Sequence, residues 1–221
     1  MKVIYLNEEH VNPIKRILPQ LFTATKKAKI SNFVSTNLKN NERVNKPHGT
    51  VLWTSSAKSI INQNTKEIQF TSAWDEWCQI EDFRNNHYKV LLFPKKSIKI
   101  WVLTEKEDLF NLPTYEKVDF NGDKLRYIDY EKLAKQVDAL WLTHRGYKLL
   151  SSYIEDKDNM KYKGLYGWDM ESVVWFNSSW IDFSYDISHI KNMSDLQRAI
   201  ETDKNFKKYI EQYWMDLFSI K

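Results

Sequence analysis

Apolar positions along the chain follow two spacings, and each predicts an element. Val3 to Tyr5 opens with a short run that reads as a strand. His10 to Leu21 places Ile14, Ile17, Leu18 and Leu21 at i, i+3, i+4 and i+7, which predicts a helix ended or kinked by Pro19. Residues 24–48 are polar and rich in Lys and Asn, a loop around a short Phe33-Val34 strand. Val51 to Thr54 is a compact strand entered through Pro47 and Gly49. Ser72 and Asp75 form a capping-box-like start to a helix carrying Trp74, Trp77, Cys78 and Glu81 at helical spacing.

The second half continues in this way. Tyr88 to Phe93 and Ile98 to Leu103 read as strands, and Pro94-Lys95-Lys96-Ser97 between them predicts a hairpin. Asn121-Gly122-Asp123 is a further turn signal. Asp129 caps a helix to Val137, and Ala139 to Thr143 follows as a strand. Residues 155–163 are charged and read as loop. Glu171 to Phe176 is a strand, with Trp180 to Phe183 expected beside it. Ser194 caps a helix, and Phe206, Tyr209, Ile210, Tyr213 and Leu217 line one face of the last. No clean βαβ alternation emerges, so the expected fold is α+β with a mostly antiparallel, split sheet packed with helices. No repeat or linker divides residues 1–221, and one domain is expected.

Composition narrows the chemistry. The chain has 5 Gly, and none fits G-x-G-x-x-G or the P-loop pattern, so a Gly-rich phosphate cradle is excluded. Cys78 is the only cysteine, which rules out an internal disulfide and thiolate zinc sites and fits a reducing compartment. The first residues lack a signal-peptide core, and no apolar run approaches a membrane span. A soluble, intracellular, cytoplasmic protein is expected. With 33 Lys plus Arg against 29 Asp plus Glu, the net charge of +4 permits a nucleic-acid partner without arguing for one. The excess of Lys over Arg and the many Asn and Ile fit an AT-rich genome, but 9 Trp do not, since Trp has one G-rich codon. Rings therefore build the core or line a cleft.

Two strips carry candidate chemistry. Gly167-Trp168-Asp169-Met170-Glu171-Ser172-Val173-Val174-Trp175 sets a glutamate at the mouth of a β-branched, aromatic strand. Gly49-Thr50-Val51-Leu52-Trp53-Thr54-Ser55-Ser56 leads from a glycine into an apolar strand with an aromatic and small polar residues. In order and type these resemble the last and middle motifs of the ADP-ribosyltransferases of the diphtheria-toxin and poly(ADP-ribose) polymerase type. Lys46-Pro47-x-Gly49, Leu52-Trp53, Trp74-x-x-Trp77-Cys78 and Gly167-Trp168-Asp169 together also look like a group of phage and bacterial proteins.

The resemblance spans about 20 residues. It implies an ADP-ribosyltransferase-like fold and a transferase of the glycosyltransferase class. NAD would be the substrate, the acceptor a protein or nucleic acid, and no metal is needed. Glu171 would be catalytic, and Tyr5, Asn7, His10, His48, Gly49, Trp53, Ser55 and Ser56 would surround the nicotinamide end. The family's first motif, an aromatic followed by His or Arg and then Gly, is not matched at Tyr5-Leu6-Asn7. Asn7 or His10 would substitute, while Leu142-Thr143-His144-Arg145-Gly146 carries the right types in the wrong chain order. A carboxylate beneath the ribose would stabilise the oxocarbenium-like charge formed as the nicotinamide bond breaks.

Other residue types have ordinary readings. The five His include no zincin spacing. Asp75 and Glu76 suit the start of their helix. Lys26-Lys27-x-Lys29, Lys95-Lys96-x-x-Lys99 and Lys207-Lys208 are basic clusters. They underlie the alternative function, a non-catalytic phage or host-interaction protein that binds nucleic acid or a protein partner through basic and aromatic surface.

Overall fold

The structure, a computed structural model, describes residues 17–28, 30, 32–83, 88–119, 121–152, 154–165 and 167–218, and the backbone of 3–5. In chain order the elements are β1 (Val3–Tyr5), β2 (Gln20–Ala24), β3 (Lys39–Asn41), β4 (Lys46–His48), β5 (Leu52–Ser56), β6 (Lys58–Ile61) and β7 (Ile68–Thr71). Then come α1 (Ala73–Ile80), β8 (Tyr88–Pro94), β9 (Lys99–Leu103), α2 (Lys106–Phe110), β10 (Thr114–Val118), β11 (Lys124–Ile128) and α3 (Tyr130–Ala134). They are followed by β12 (Ala139–Leu142), α4 (His144–Leu150), β13 (Ile154–Glu155), β14 (Lys161–Tyr162) and β15 (Ser172–Trp175). The last are β16 (Ile181–Asp186), α5 (Met193–Thr202), α6 (Lys204–Gln212) and α7 (Trp214–Leu217). The fold is α+β with mostly antiparallel strands.

The chain divides into two compact units. Unit 1 comprises Met1–Val11, Asn32–Trp53 and Ser97–Ser178; unit 2 comprises Asn12–Ser31, Thr54–Lys96 and Ser179–Lys221.

In unit 1 the strands β1, β9, β12 and β15 lie in that order. β9 and β12 are parallel, joined through α2, β10, β11 and α3, while β1 and β15 run antiparallel to their neighbours. Strands buried on both faces read as continuous apolar runs, and Ala139–Leu142 and Val173–Trp175 are such runs. A second sheet has the order β10-β11-β14-β13. The core gathers Trp101, Leu140, Trp168, Val174 and Phe176 with residues of α2, α3 and α4.

In unit 2, β5, β2, β8 and β16 lie in that order, with β2 antiparallel to β5 and β8, and β8 antiparallel to β16. Its core packs Leu91 and Phe93 against Phe206, Tyr209, Ile210, Tyr213 and Leu217, the helical face expected from spacing. α1 starts where expected, with the Asp75 N–H donating to the Ser72 side chain at 3.3 Å. Asp75 is buried rather than solvated, and takes a 2.5 Å ion pair from Lys89.

Several sequence expectations need correction. The end of the proposed first helix is irregular at Ile17–Pro19 and becomes β2; its residues 10–16 lie outside the described residues. β8 and β9 are not a hairpin: β8 takes β2 and β16 as partners, and β9 takes β1 and β12. Pro94 and the residues after it mark a break in the chain path, and a turn signal does not specify which strand pairs with which. β16 lies beside β8, not β15. The polar stretch before β5 contains the β3–β4 hairpin, and Val34 makes only an isolated bridge to Asn177. The charged stretch 155–163 supplies parts of the paired strands β13 and β14. α5 is capped by Asn192, whose side chain accepts from the Asp195 N–H at 2.9 Å; Ser194 lies inside the helix.

Candidate functional site

The candidate site grows from a fixed turn in unit 1. Asn45, with φ 49°, ends the loop between β3 and β4, a left-handed conformation that Asn tolerates. It is 1% exposed. Its side chain donates to the Lys163 carbonyl at 2.9 Å and accepts from the Ile128 N–H at 3.2 Å. Its carbonyl accepts from the Tyr130 hydroxyl at 2.6 Å and from the Trp168 indole at 3.1 Å. Burial pushes the Tyr130 phenol well above its ordinary pKa, so it stays a donor. The next residue, Lys46, thus leaves a rigid point.

Gly167 (φ +89°) and Asp169 (φ 47°) turn the chain sharply on either side of Trp168. A Cβ at Gly167 would come within 3.1–3.2 Å of Val44 in the hairpin loop, which explains the glycine twice over. The Met170 N–H donates to the Trp168 carbonyl, closing a three-residue turn around Asp169. Non-glycine residues at positive φ cost energy and persist where the surroundings hold them.

Four side chains meet here. Trp53 and Trp168 pack nearly perpendicular, ring centroids 4.8 Å apart. The Lys46 ammonium stands over the Trp53 ring, 5.5 Å from its centroid. Its nearest carboxylate, Asp169, is 3.9 Å away, at the outer limit of an ion pair. Among the described residues the Lys46 ammonium makes no hydrogen bond. Burial holds its pKa below the ordinary lysine value, against the opposing pull of Asp169.

Two residues further on, Glu171 precedes β15. It is 8% exposed, and one carboxylate oxygen accepts from the Trp141 indole N–H at 2.8 Å. The period of two along a strand explains the contact: Trp141 pairs with Val173, whose face Glu171 shares. A carboxylate is costly to bury unless held by hydrogen bonds, so this one is oriented rather than solvated.

The other sequence candidates fall as follows. His48 and Gly49 are exposed at the end of β4, Gly49 with φ 138°. Trp53 is half-buried, the last residue of the second segment of unit 1. Ser55 is fully buried and Ser56 half-buried in unit 2, paired with Leu21 and Gln20 of β2. Tyr5 lies in β1, opposite Lys99, as backbone only. Asn7 and His10 lie outside the described residues. The out-of-order strip at His144-Arg145-Gly146 is the first turn of α4, not a strand. There Gly146 packs on the Leu103 carbonyl and Arg145 pairs with Glu105 at 2.8 Å. Trp141 and Asn45 carried no local sequence signal, because their roles depend on partners 30 or more positions away.

Of the basic clusters, Lys208 stands over the largely buried Tyr209 ring, 5.4 Å from its centroid. Lys26, Lys27, Lys95 and Lys96 are exposed, and Lys27 reaches Asp186 at 3.9 Å. The stack of Trp74, Trp77 and Phe83 carries Glu76 and Glu81 beside it. Among the described residues no three His, Cys, Asp or Glu could hold a metal ion, and no helix is long and apolar enough to cross a membrane.

Compared with known proteins, the chain matches no family model, no curated protein and no solved structure.

Proposed function

We propose that the protein is an NAD-consuming ADP-ribosyltransferase-like enzyme with Glu171 as its catalytic carboxylate and a protein or nucleic acid as acceptor. The observation that carries this reading is the buried Glu171, clamped by Trp141 at the mouth of β15. A structural glutamate at a strand end is normally solvated. One that is desolvated and aimed supplies a fixed negative field where positive charge develops. When the bond between ribose and nicotinamide breaks, its electron pair stays with the ring nitrogen and the sugar becomes oxocarbenium-like. Glu171 stabilises that sugar and holds its 2′-hydroxyl. The two-tryptophan corner in the same unit supports the reading, since Trp53 offers a flat ring to nicotinamide.

The test is nicotinamide release from NAD, wild type against Glu171→Gln, with and without nucleic acid or cell lysate. Glutamine keeps an acceptor for Trp141 and removes only the charge. Release that falls by about a hundredfold or more in a variant of unchanged stability supports the assignment. Equal release by both proteins removes Glu171 from the mechanism.

A further inference from the structure

Lys46 is supported by the fold and unsatisfied by it. Asn45 fixes its backbone, burial removes part of the water around its side chain, which stays 29% exposed, and the nearest carboxylate stands at 3.9 Å. Half-buried ammonium groups normally end on an acceptor, because an unmet charge-bearing donor keeps its full desolvation penalty. Here the ammonium rests on the face of Trp53 instead. A cation over a ring is a modest attraction, and it covers the surface on which a planar ligand would stack. A ligand ring that takes the face must displace the ammonium. The flexible lysine stem allows that movement, and the displaced charge needs an anion close to the stacked ring.

We propose that Lys46 binds the phosphate of a nucleotide whose ring stacks on Trp53: the ammonium leaves the indole face as the ring arrives and donates to the phosphate attached to that ring's ribose. This rests on the reading of Trp53 as the nicotinamide platform and adds a residue to it. It also supplies a cation that the unmatched first motif does not. Asp169 competes for the same ammonium, and it sits on the turn beside Trp168, partly exposed. In the empty site it holds Lys46 charged; in the occupied site it repels the phosphate. Opposite effects are therefore expected at the two positions.

The experiment is equilibrium titration followed by tryptophan fluorescence, using nicotinamide mononucleotide against nicotinamide riboside, which differ by one phosphate. AMP against adenosine forms a second pair. Wild type should prefer the phosphorylated member by about ten- to hundredfold, the range of one charge-assisted hydrogen bond. Lys46→Met should bind both members alike, and Asp169→Asn should bind the phosphorylated one several-fold tighter. Thermal unfolding of each variant separates lost binding from lost structure. A phosphate preference that survives in Lys46→Met overturns the proposal, as does its absence from wild type. If the preference follows Lys46 but NAD is not cleaved, the catalytic reading of Glu171 fails and the phosphate site stands. If NAD is cleaved and Lys46→Met keeps the preference, the reverse holds.

Discussion

Two lysines, one in each unit, meet burial in different ways. In unit 2, Lys89 reaches Asp75 at 2.5 Å and the Phe70 carbonyl at 2.9 Å, joining β8 to the start of α1. Its ammonium has close acceptors and the carboxylate it meets is 3% exposed. In unit 1, Lys46 lies on a ring with a carboxylate barely within range. The first arrangement is closed: each charge answers the other, and nothing more is needed. The second is open, because the ammonium's hydrogen-bonding capacity is unspent. Burial alone does not separate structural from functional charges. What separates them is whether the folded chain itself supplies the partners.

Substitution breaks the comparison in a graded way. Lys89→Met leaves Asp75 buried without its cation and should cost about 3–5 kcal/mol of stability, the range for a broken buried pair. Lys46→Met should cost less than about 1 kcal/mol, as expected for a partly exposed ion pair. Chemical denaturation of both variants checks this, and equal losses would remove the distinction between the two sites. Asn45→Ala should fall between the two lysine variants, at about 2–4 kcal/mol. It removes one hydrogen bond from the Ile128 N–H and one from the Lys163 carbonyl and sets alanine at a left-handed φ. If Asn45 positions Lys46, the folded fraction of this variant should also show a weaker phosphate preference. A small effect at α5 checks its cap. Asn192→Ala should cost about 1 kcal/mol by removing the cap, whereas the exposed Ser194→Ala should stay within about 0.5 kcal/mol.

The capping of α5 shows why some structure was legible and some was not. Ser72 and Asp129 were readable as caps because capping is a local contact, satisfied within three residues. Asn192 and Ser194 are both good capping residues, and the choice depends on where the preceding chain arrives: the Met193 N–H bonds to the Lys66 carbonyl, across the sequence. The strands β8, β9, β12 and β15 were similarly readable from apolar runs, while their partners were not; β2 was taken for the end of a helix, and β6, β7, β10 and β11 were not read as strands. Tyr88–Pro94 and Lys99–Leu103 each have the pattern of a strand, but pairing is decided by which apolar face meets which core. At the site, the position of Glu171 before its strand was readable. Its neighbour Trp141 was not, because a diagonal cross-strand contact has no sequence spacing of its own. Asp75 was readable as a helix-start acid, but its partner Lys89, 14 positions further on, was not.

The alternation of segments between the units bears on how the chain is made. Each unit is assembled from three stretches, so a ribosome releases their parts in turn. Unit 1 has all its segments once Ser178 has emerged; unit 2 still lacks Ser179–Lys221. That stretch carries β16, which pairs with β8, and the helices whose Tyr209 and Tyr213 rings meet Phe93. Until it arrives, the apolar strand Val90–Phe93 has an open edge and a bare face, the condition under which nascent chains aggregate or engage chaperones. A chain stopped at Ser178 would therefore emerge as a chaperone client, not as a smaller working protein.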